Sequence, residues 1–318
     1  MQKPSRIFQF LGTSTCATMT VVSKLSPPEF KKVALIILRR DNQRQNWTYT
    51  EKSLARTWAS FFGTSPEVAT EVWNRLVDKD VIPEGGKPKH LLYGYVLLKK
   101  YAGDEAHGKM VGCHFNTFAP WAWKFIPLIH DLHVDVIVWG NRRIGWDPSK
   151  TSASTVTDAS TFGCLDRWPF DKAMWDVKRS KAGLKYEVAQ AISSGYIVHW
   201  DGWHKGSVSD IEIFRDGLMT KLDPNEDVEA DAGCSGECCL KNPETAKSRR
   251  AKQQKGVLRA REECIFGKMK KFQSLKGIWI HSYDRHKLAV GAILVTLQLG
   301  MELGTVKLWD LEYEAEYF

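Results

Sequence analysis

A change of hydrophobic period near residue 150 divides this chain into two kinds of architecture in series. Before it, apolar residues recur at helical spacing behind small polar residues. Ser26 precedes PPEF, Thr50 precedes EKSLARTWASFF, and Ser65 precedes PEVATEVWNRLV. A Ser or Thr oxygen at such a position accepts from a free N–H of the first turn, and proline fits that turn at no cost in hydrogen bonds. Gly63 separates the second and third of these helices, giving a helix-turn-helix pattern. HLLYGYVLLKKY and HFNTFAPWAWKFIPLIHDL extend the helical reading to about residue 145. The Gly/Pro/Ser-rich stretch GWDPSKTSAS then breaks the chain. Beyond it the periodicity changes: STVTDAS reads as a short strand ending in Asp158, GLKYEVAQAI alternates as a strand and YIVHWDGW is the next, with a hairpin turn at Gly195 between them.

Ser209 caps a further helix, SDIEIFRDGLMTKL, and Val228 to Ala230 forms a short strand. A helix carrying Glu262 and Glu263 follows, and the apolar run from Leu288 to Leu303 closes the core as a buried helix. The expected organisation is an all-helical segment at 26–145 and an α/β domain at 150–306. A basic loop spans 237–258, and tails lie at 1–25 and 307–318. Strands mixed with helices in this order predict a mixed α/β sheet flanked by helices.

Charge narrows the functional classes. The formal net charge is +8 over 318 residues. Residues 241–276 hold twelve Lys and Arg against the three acids Glu244, Glu262 and Glu263, a local excess of +9. The rest of the chain is therefore nearly neutral, and the basic segment suits a polyanion such as nucleic acid. Leu288–Leu303 is short for a membrane span and contains Gln298 and Glu302, so no membrane partner is expected. Cys234, Cys238 and Cys239 lack a second Cys or His pair, which favours reduced thiols over a zinc site. His90, His107, His114 and His130 have no metal-ligand spacing. The first 28 residues lack acids and read as a tail or a targeting segment.

Asp158 ends the first strand reading and Asp231 follows the short strand at 228–230. If those strands pair, the two carboxylates become neighbours, and the helix after Asp231 brings Glu263 over the same edge. Two or three clustered carboxylates at element ends can hold Mg²⁺ or Mn²⁺, as a pair of ions, for phosphoryl transfer. Glu262 stands beside Glu263 but points about 100° away, so only one of them can face such ions. Arg259, Arg261, Lys268, Lys270 and Lys271 are the candidates for contact with the nucleic-acid backbone.

Several ordered pieces of the chain resemble the PIF/Harbinger-like DDE transposases, in the branch common in protists. They are KHLLYGYVLLKKY, FNTFAPWAWKFI with DVIVWGNR, TDAS, WPFDKAMWDVKRSKAGLKYEV, GYIVHWDGWHKGSVSDIEIFRDGL, EDVEADAGCSG, RAREECIFGKMKKF and the HKLAVGAILVTLQL tail. Together they span roughly residues 60–305. The resemblance implies an RNase H-like fold, a nuclear protein, and metal-dependent cleavage and joining of DNA at transposon ends and targets. It implies Asp158, Asp231 and Glu263 as the metal-binding catalytic triad, and Asp210 as a helix cap or support. It also implies a homo-oligomer and, often, a separate Myb-like DNA-binding protein. Thr157 and Ala159 stand where the family usually has Val and Gly, Cys234 where Tyr is usual, and Phe266 where this branch often has Asn. These departures leave a second expectation open, a domesticated or decayed copy that binds DNA without cutting it.

Overall fold

The computed structural model describes residues 22–41, 50–149, 151–231, 234–241 and 249–307. Residues 1–21 of the N-terminal tail reading (1–25), 308–318 of the C-terminal one (307–318) and 242–248 of the basic loop (237–258) lie outside the described residues. Among the described residues, every element before the first strand is helical. These are α1 (Pro27–Asp41), α2 (Glu51–Phe62), α3 (Pro66–Asp78), α4 (Pro88–Lys100), α5 (Asp104–Val111), α6 (Phe115–Asp131) and α7 (His133–Val136). The caps act as the sequence suggests. Thr50 accepts from Ser53 N and Ser65 from Val68 N, while Gly63 takes the left-handed conformation, φ 76°, that ends α2. Ser26 instead donates its backbone and side-chain hydrogens to Glu29 Oε2 at the start of α1.

The sheet is mixed. It contains β1 (Ala153–Gly163), β2 (Trp175–Asp176), β3 (Lys181–Ala191), β4 (Ile197–Lys205), β5 (Asp227–Ala230) and β6 (Leu240–Lys241). β1 lies centrally, antiparallel to β3 on one side and parallel to β5 on the other. β4 extends the sheet antiparallel to β3, β6 extends it parallel to β5, and two-residue β2 pairs with the start of β3. Helices α8 (Asp210–Asp216), α9 (Arg249–Met269), α10 (Gln273–Lys276) and α11 (Tyr283–Glu302) complete the chain. The architecture is an α/β mixed sheet flanked by helices.

Two details differ from the sequence reading. Asp158 lies in the middle of an eleven-residue strand rather than at its end. β1 is buried along both faces, so its Ser/Thr-rich ends carry no apolar–polar alternation to announce the strand. The loop expected at 237–258 contains β6 and, from Arg249 onward, the first turns of α9.

One hydrophobic core runs from Phe30 in α1 to Met301 in α11, and it includes residues of α2, α3, α4, α6, β1, β3, β4 and α9. The helices before residue 145 therefore share their interior with the sheet. α11 lies in the middle of it, buried on all sides, as its uniformly apolar sequence demands. Its polar exceptions are bonded: Gln298 Oε1 accepts from Ile197 N at 2.8 Å, and Thr296 Oγ1 donates to Ala292 O at 2.7 Å. Gly291 permits the packing of α11 on α6, because a Cβ there would sit 2.4 Å from His130 Cδ2. At the other end of the sheet, buried Arg142 donates to Glu226 Oε1 at 2.6 Å and Asp223 Oδ2 at 2.7 Å. Ser154 of β1 also bonds Glu226, so this cluster ties the approach to β5 against the start of β1.

Candidate metal centre

The strand pairing brings the first two candidate carboxylates together. Thr157 of β1 is registered on Ala230 of β5, so Asp231, the next residue, stands beside Asp158. The Asp158 carboxylate accepts from its neighbour's amide, Ala159 N to Oδ1 at 2.8 Å. Burial pushes its pKa up to about 6, and nearby Asp210 and Asp231 add to that rise while Lys178 opposes it. Asp231 is ion-paired to Arg259, Nη1 to Oδ1 at 3.0 Å.

The third carboxylate is the point at which the structure parts from the sequence reading. Glu263, expected over this edge, faces outward: its side chain is 63% exposed and pairs with Arg259 one turn earlier, at 3.4 Å. Glu262 faces inward. It is 4% exposed, its Oε1 has no hydrogen-bond partner, and burial raises its pKa well above the usual carboxylate range. Asp158, Glu187 and Asp231 are near enough to raise it further. The reason lies in the helix. Leu258, Ile265 and Met269 are fully buried, and Glu262 falls on their stripe at helical spacing. Gly256, Arg259, Glu263 and Gly267 form the exposed stripe. The side of α9 turned to the sheet therefore carries Glu262.

The basic residues divide in the same way. Arg261 is buried and donates from Nη1 to Ile192 O at 2.7 Å, so it holds the β3–β4 turn to α9. Its expected role at a phosphate is corrected to this structural one. Arg259 remains half exposed. Lys270 donates to Ser160 Oγ at 3.2 Å, two residues along β1 from Asp158 and on the same face, and burial lowers its pKa. Lys268 and Lys271 turn away, toward a cleft they share with Lys99 and the Gly63–Ser65 turn between α2 and α3.

Other expectations find ordinary places. Ser209, rather than Asp210, caps α8; Asp210 pairs with Lys185 at 3.0 Å. Thr157 donates to Glu187 Oε1 at 3.2 Å, and Phe266 packs against Phe162 with the rings tilted at 52°. Burial, with Glu187, Asp210 and Asp158 nearby adding to it, pushes the Cys234 thiol up to about 12. His90 stacks on Trp121, His107 on Phe118, and His114 caps α6. Among the described residues, no helix is long and apolar enough to cross a membrane.

Sequence reasoning missed Glu187 and His199, buried on the opposite face of the sheet, and the cations Lys178 and Arg179 near Asp158. Only the alternation of Leu184, Tyr186 and Val188 against Lys185 and Glu187 hinted at Glu187. That pattern reads as a solvated face unless the sheet is known to be covered on both sides.

In this arrangement no group of three or more His, Cys, Asp or Glu among the described residues is placed to hold a metal ion. The chemistry of the donors nevertheless fits a hard divalent cation: oxygen ligands only, two of them with raised pKa, and one buried carboxylate oxygen without a hydrogen-bond partner. The Arg259 guanidinium supplies positive charge at Asp231 where a cation would. No protein-family model, curated protein or solved structure matches the chain.

Proposed function

We propose that this chain is a metal-dependent enzyme that cleaves and rejoins DNA phosphodiesters, of the PIF/Harbinger-like DDE type, on an RNase H-like sheet. The strand order supports the fold half of this reading: an antiparallel β1–β3–β4 meander with β5 parallel on the other side of β1 and β6 beyond it. The observation that carries the functional half is the approach of Asp158, Asp231 and Glu262 from three different elements, with Asp231 near enough to raise the proton affinity of Asp158, and both near enough to raise that of Glu262.

Glu262 takes the third position in this proposal, in place of Glu263. Mg²⁺ or Mn²⁺ bound there would activate the attacking oxygen and stabilise the leaving one. Asp158 and Glu262 would hold the ions as carboxylates, giving up the protons that burial now favours. Asp231 would exchange its bond to Arg259 for the same ligation. Arg259, released from Asp231 and still paired with Glu263, would stand at the mouth of the site with its remaining donors turned to a phosphate. Lys270 would neutralise backbone charge next to Asp158.

The second reading, a protein that binds DNA without cutting it, draws on one observation: Arg259 already satisfies Asp231 and could keep cations out. Incubation of purified protein with Mn²⁺ and DNA bearing inverted terminal repeats separates the two. Nicking by wild-type protein and by Glu263→Gln, with none by Asp231→Asn or Glu262→Gln, supports the enzyme. Undiminished nicking by Glu262→Gln overturns the assignment. DNA binding without nicking under either metal favours the second reading.

A further inference from the structure

Between β1 and β3 the chain makes an excursion, residues 164–180, that the carboxylate site does not use. It displays large apolar side chains to solvent: Trp168 is 95% exposed, Val177 81%, Leu165 47%, Phe170 42% and Trp175 37%. Large exposed apolar groups mark interaction surfaces. The excursion is also fastened. Arg167 donates to His281 O at 2.7 Å and lies over the Tyr283 ring. Asp171 accepts from Ala173 N at 2.9 Å and pairs with Lys205 at 3.0 Å. Phe170 packs edge-on against Trp175, with ring centroids 6.1 Å apart. Trp168 is thus held out between two anchored residues.

Cations connect this tip to the carboxylates. Lys178 is near enough to Asp158 to lower its pKa, and Arg179 donates to Ser160 Oγ at 3.2 Å beside the Lys270 bond to the same atom. Lys172 and Lys181 are exposed. Of the three acids in the segment, Asp171 is paired with Lys205, Asp176 is buried and accepts from Arg179 N, and Asp166 is exposed next to Arg167. The apolar groups are therefore interleaved with cations along a path that ends at the candidate metal centre. Aromatic rings spaced among cations suit the bases and phosphates of an unpaired nucleic-acid strand.

We propose that the Trp168 excursion is a stacking site for unpaired nucleotides next to the phosphodiester handled at Asp158. This rests on the DNA-processing reading above. The site would recognise DNA that is opened, or single-stranded, beside the reacting phosphate.

The test is fluorescence anisotropy with the full chain in EDTA, so that no cutting intervenes. The probes are a fully paired duplex and the same duplex with a five-nucleotide unpaired stretch. Wild-type protein should prefer the unpaired probe by about tenfold. Trp168→Ala should reduce affinity for the unpaired probe to that for the duplex, and Trp168→Phe should keep part of the preference. Lys270→Ala should weaken binding to both probes alike. Binding of the unpaired probe with the same affinity in wild type and Trp168→Ala overturns the stacking site alone. A preference for a protein partner over both probes, competed by neither, also overturns it. Failure of wild-type protein to bind either probe overturns the DNA reading and this site together.

Discussion

Adjacent residues of β1 send side chains to opposite faces of the sheet, and the two faces treat buried acid differently. Asp158 meets Asp231 and Glu262, and burial together with their mutual charge raises the proton affinity of Asp158 and Glu262. Thr157, on the other face, donates to Glu187, which is 3% exposed and has its pKa pushed up to about 8 by burial. Glu187 Oε2 lies 3.9 Å from His199 Nε2. Burial holds His199 down to about 4, so the proton resides on Glu187 and the contact is neutral rather than an ion pair. Nearby Asp201 is pulled down to about 2 by its bond to His204. Burial holds both Glu187 and Glu262 protonated, and each keeps one carboxylate oxygen without a hydrogen-bond partner. The faces differ in the company of that acid: the Glu187 face pairs its Asp201 with His204, whereas Glu262 has Asp158 and Asp231 near it. The comparison teaches that burial of an acid alone does not distinguish the two faces. The proposed function rests on the gathering of several acids around Glu262.

The largest effect expected from this difference is on catalysis. Glu262→Gln should reduce metal-dependent cleavage about 10³-fold, the several kcal/mol of charge stabilisation a bound ion supplies at 1.36 kcal/mol per tenfold. Glu187→Gln should leave cleavage nearly intact, and a comparable loss there would erase the distinction between the faces.

Stability against pH comes next. Asp158 and Glu187 have folded-state pKa values above their unfolded ones, so their contribution is fully present at low pH and is lost as pH rises through about 6 for Asp158 and about 8 for Glu187. The Asp158 part amounts to about 2–3 kcal/mol. Melting in EDTA between about pH 5 and 9 should show both losses, and Mg²⁺ should recover only the Asp158 part. Recovery of the Glu187 part by Mg²⁺ would contradict the assignment.

Arg261→Met should cost about 1–3 kcal/mol by stranding the Ile192 carbonyl, read as a lower denaturation midpoint, with the salt dependence of DNA binding unchanged. A flatter salt slope would return Arg261 to the DNA. The smallest effect belongs to Glu263→Gln. An exposed ion pair is worth about 0–1 kcal/mol, so cleavage should change by less than about fivefold.

Much of the scaffold was legible because local chemistry wrote it. Thr50, Ser65 and Ser209 cap the helices they precede, and the strand delivering Asp231 runs from Asp227 to Ala230. Less legible was what depends on packing. β1 is covered on both faces, so nothing in its sequence showed that it continues past Asp158 to Gly163. The WPFDKAMW segment carries no period, and its exposure of Trp168 follows from tertiary anchors at Arg167 and Asp171. The choice between Glu262 and Glu263 was present in the sequence as the stripe Leu258, Ile265 and Met269, but motif position alone favoured the wrong neighbour for the inward face. The sharing of one core between the early helices and the sheet was not readable from either half alone.

The central claim is that Asp158, Asp231 and Glu262 together hold divalent cations, and calorimetric titration of Mn²⁺ into metal-free protein at pH 7.5 tests it most directly. Wild type and Glu263→Gln should bind with matching heats and release protons, while Asp158→Asn, Asp231→Asn and Glu262→Gln should bind weakly or not at all. Retained Mn²⁺ binding in Glu262→Gln, with loss in Glu263→Gln, would contradict it.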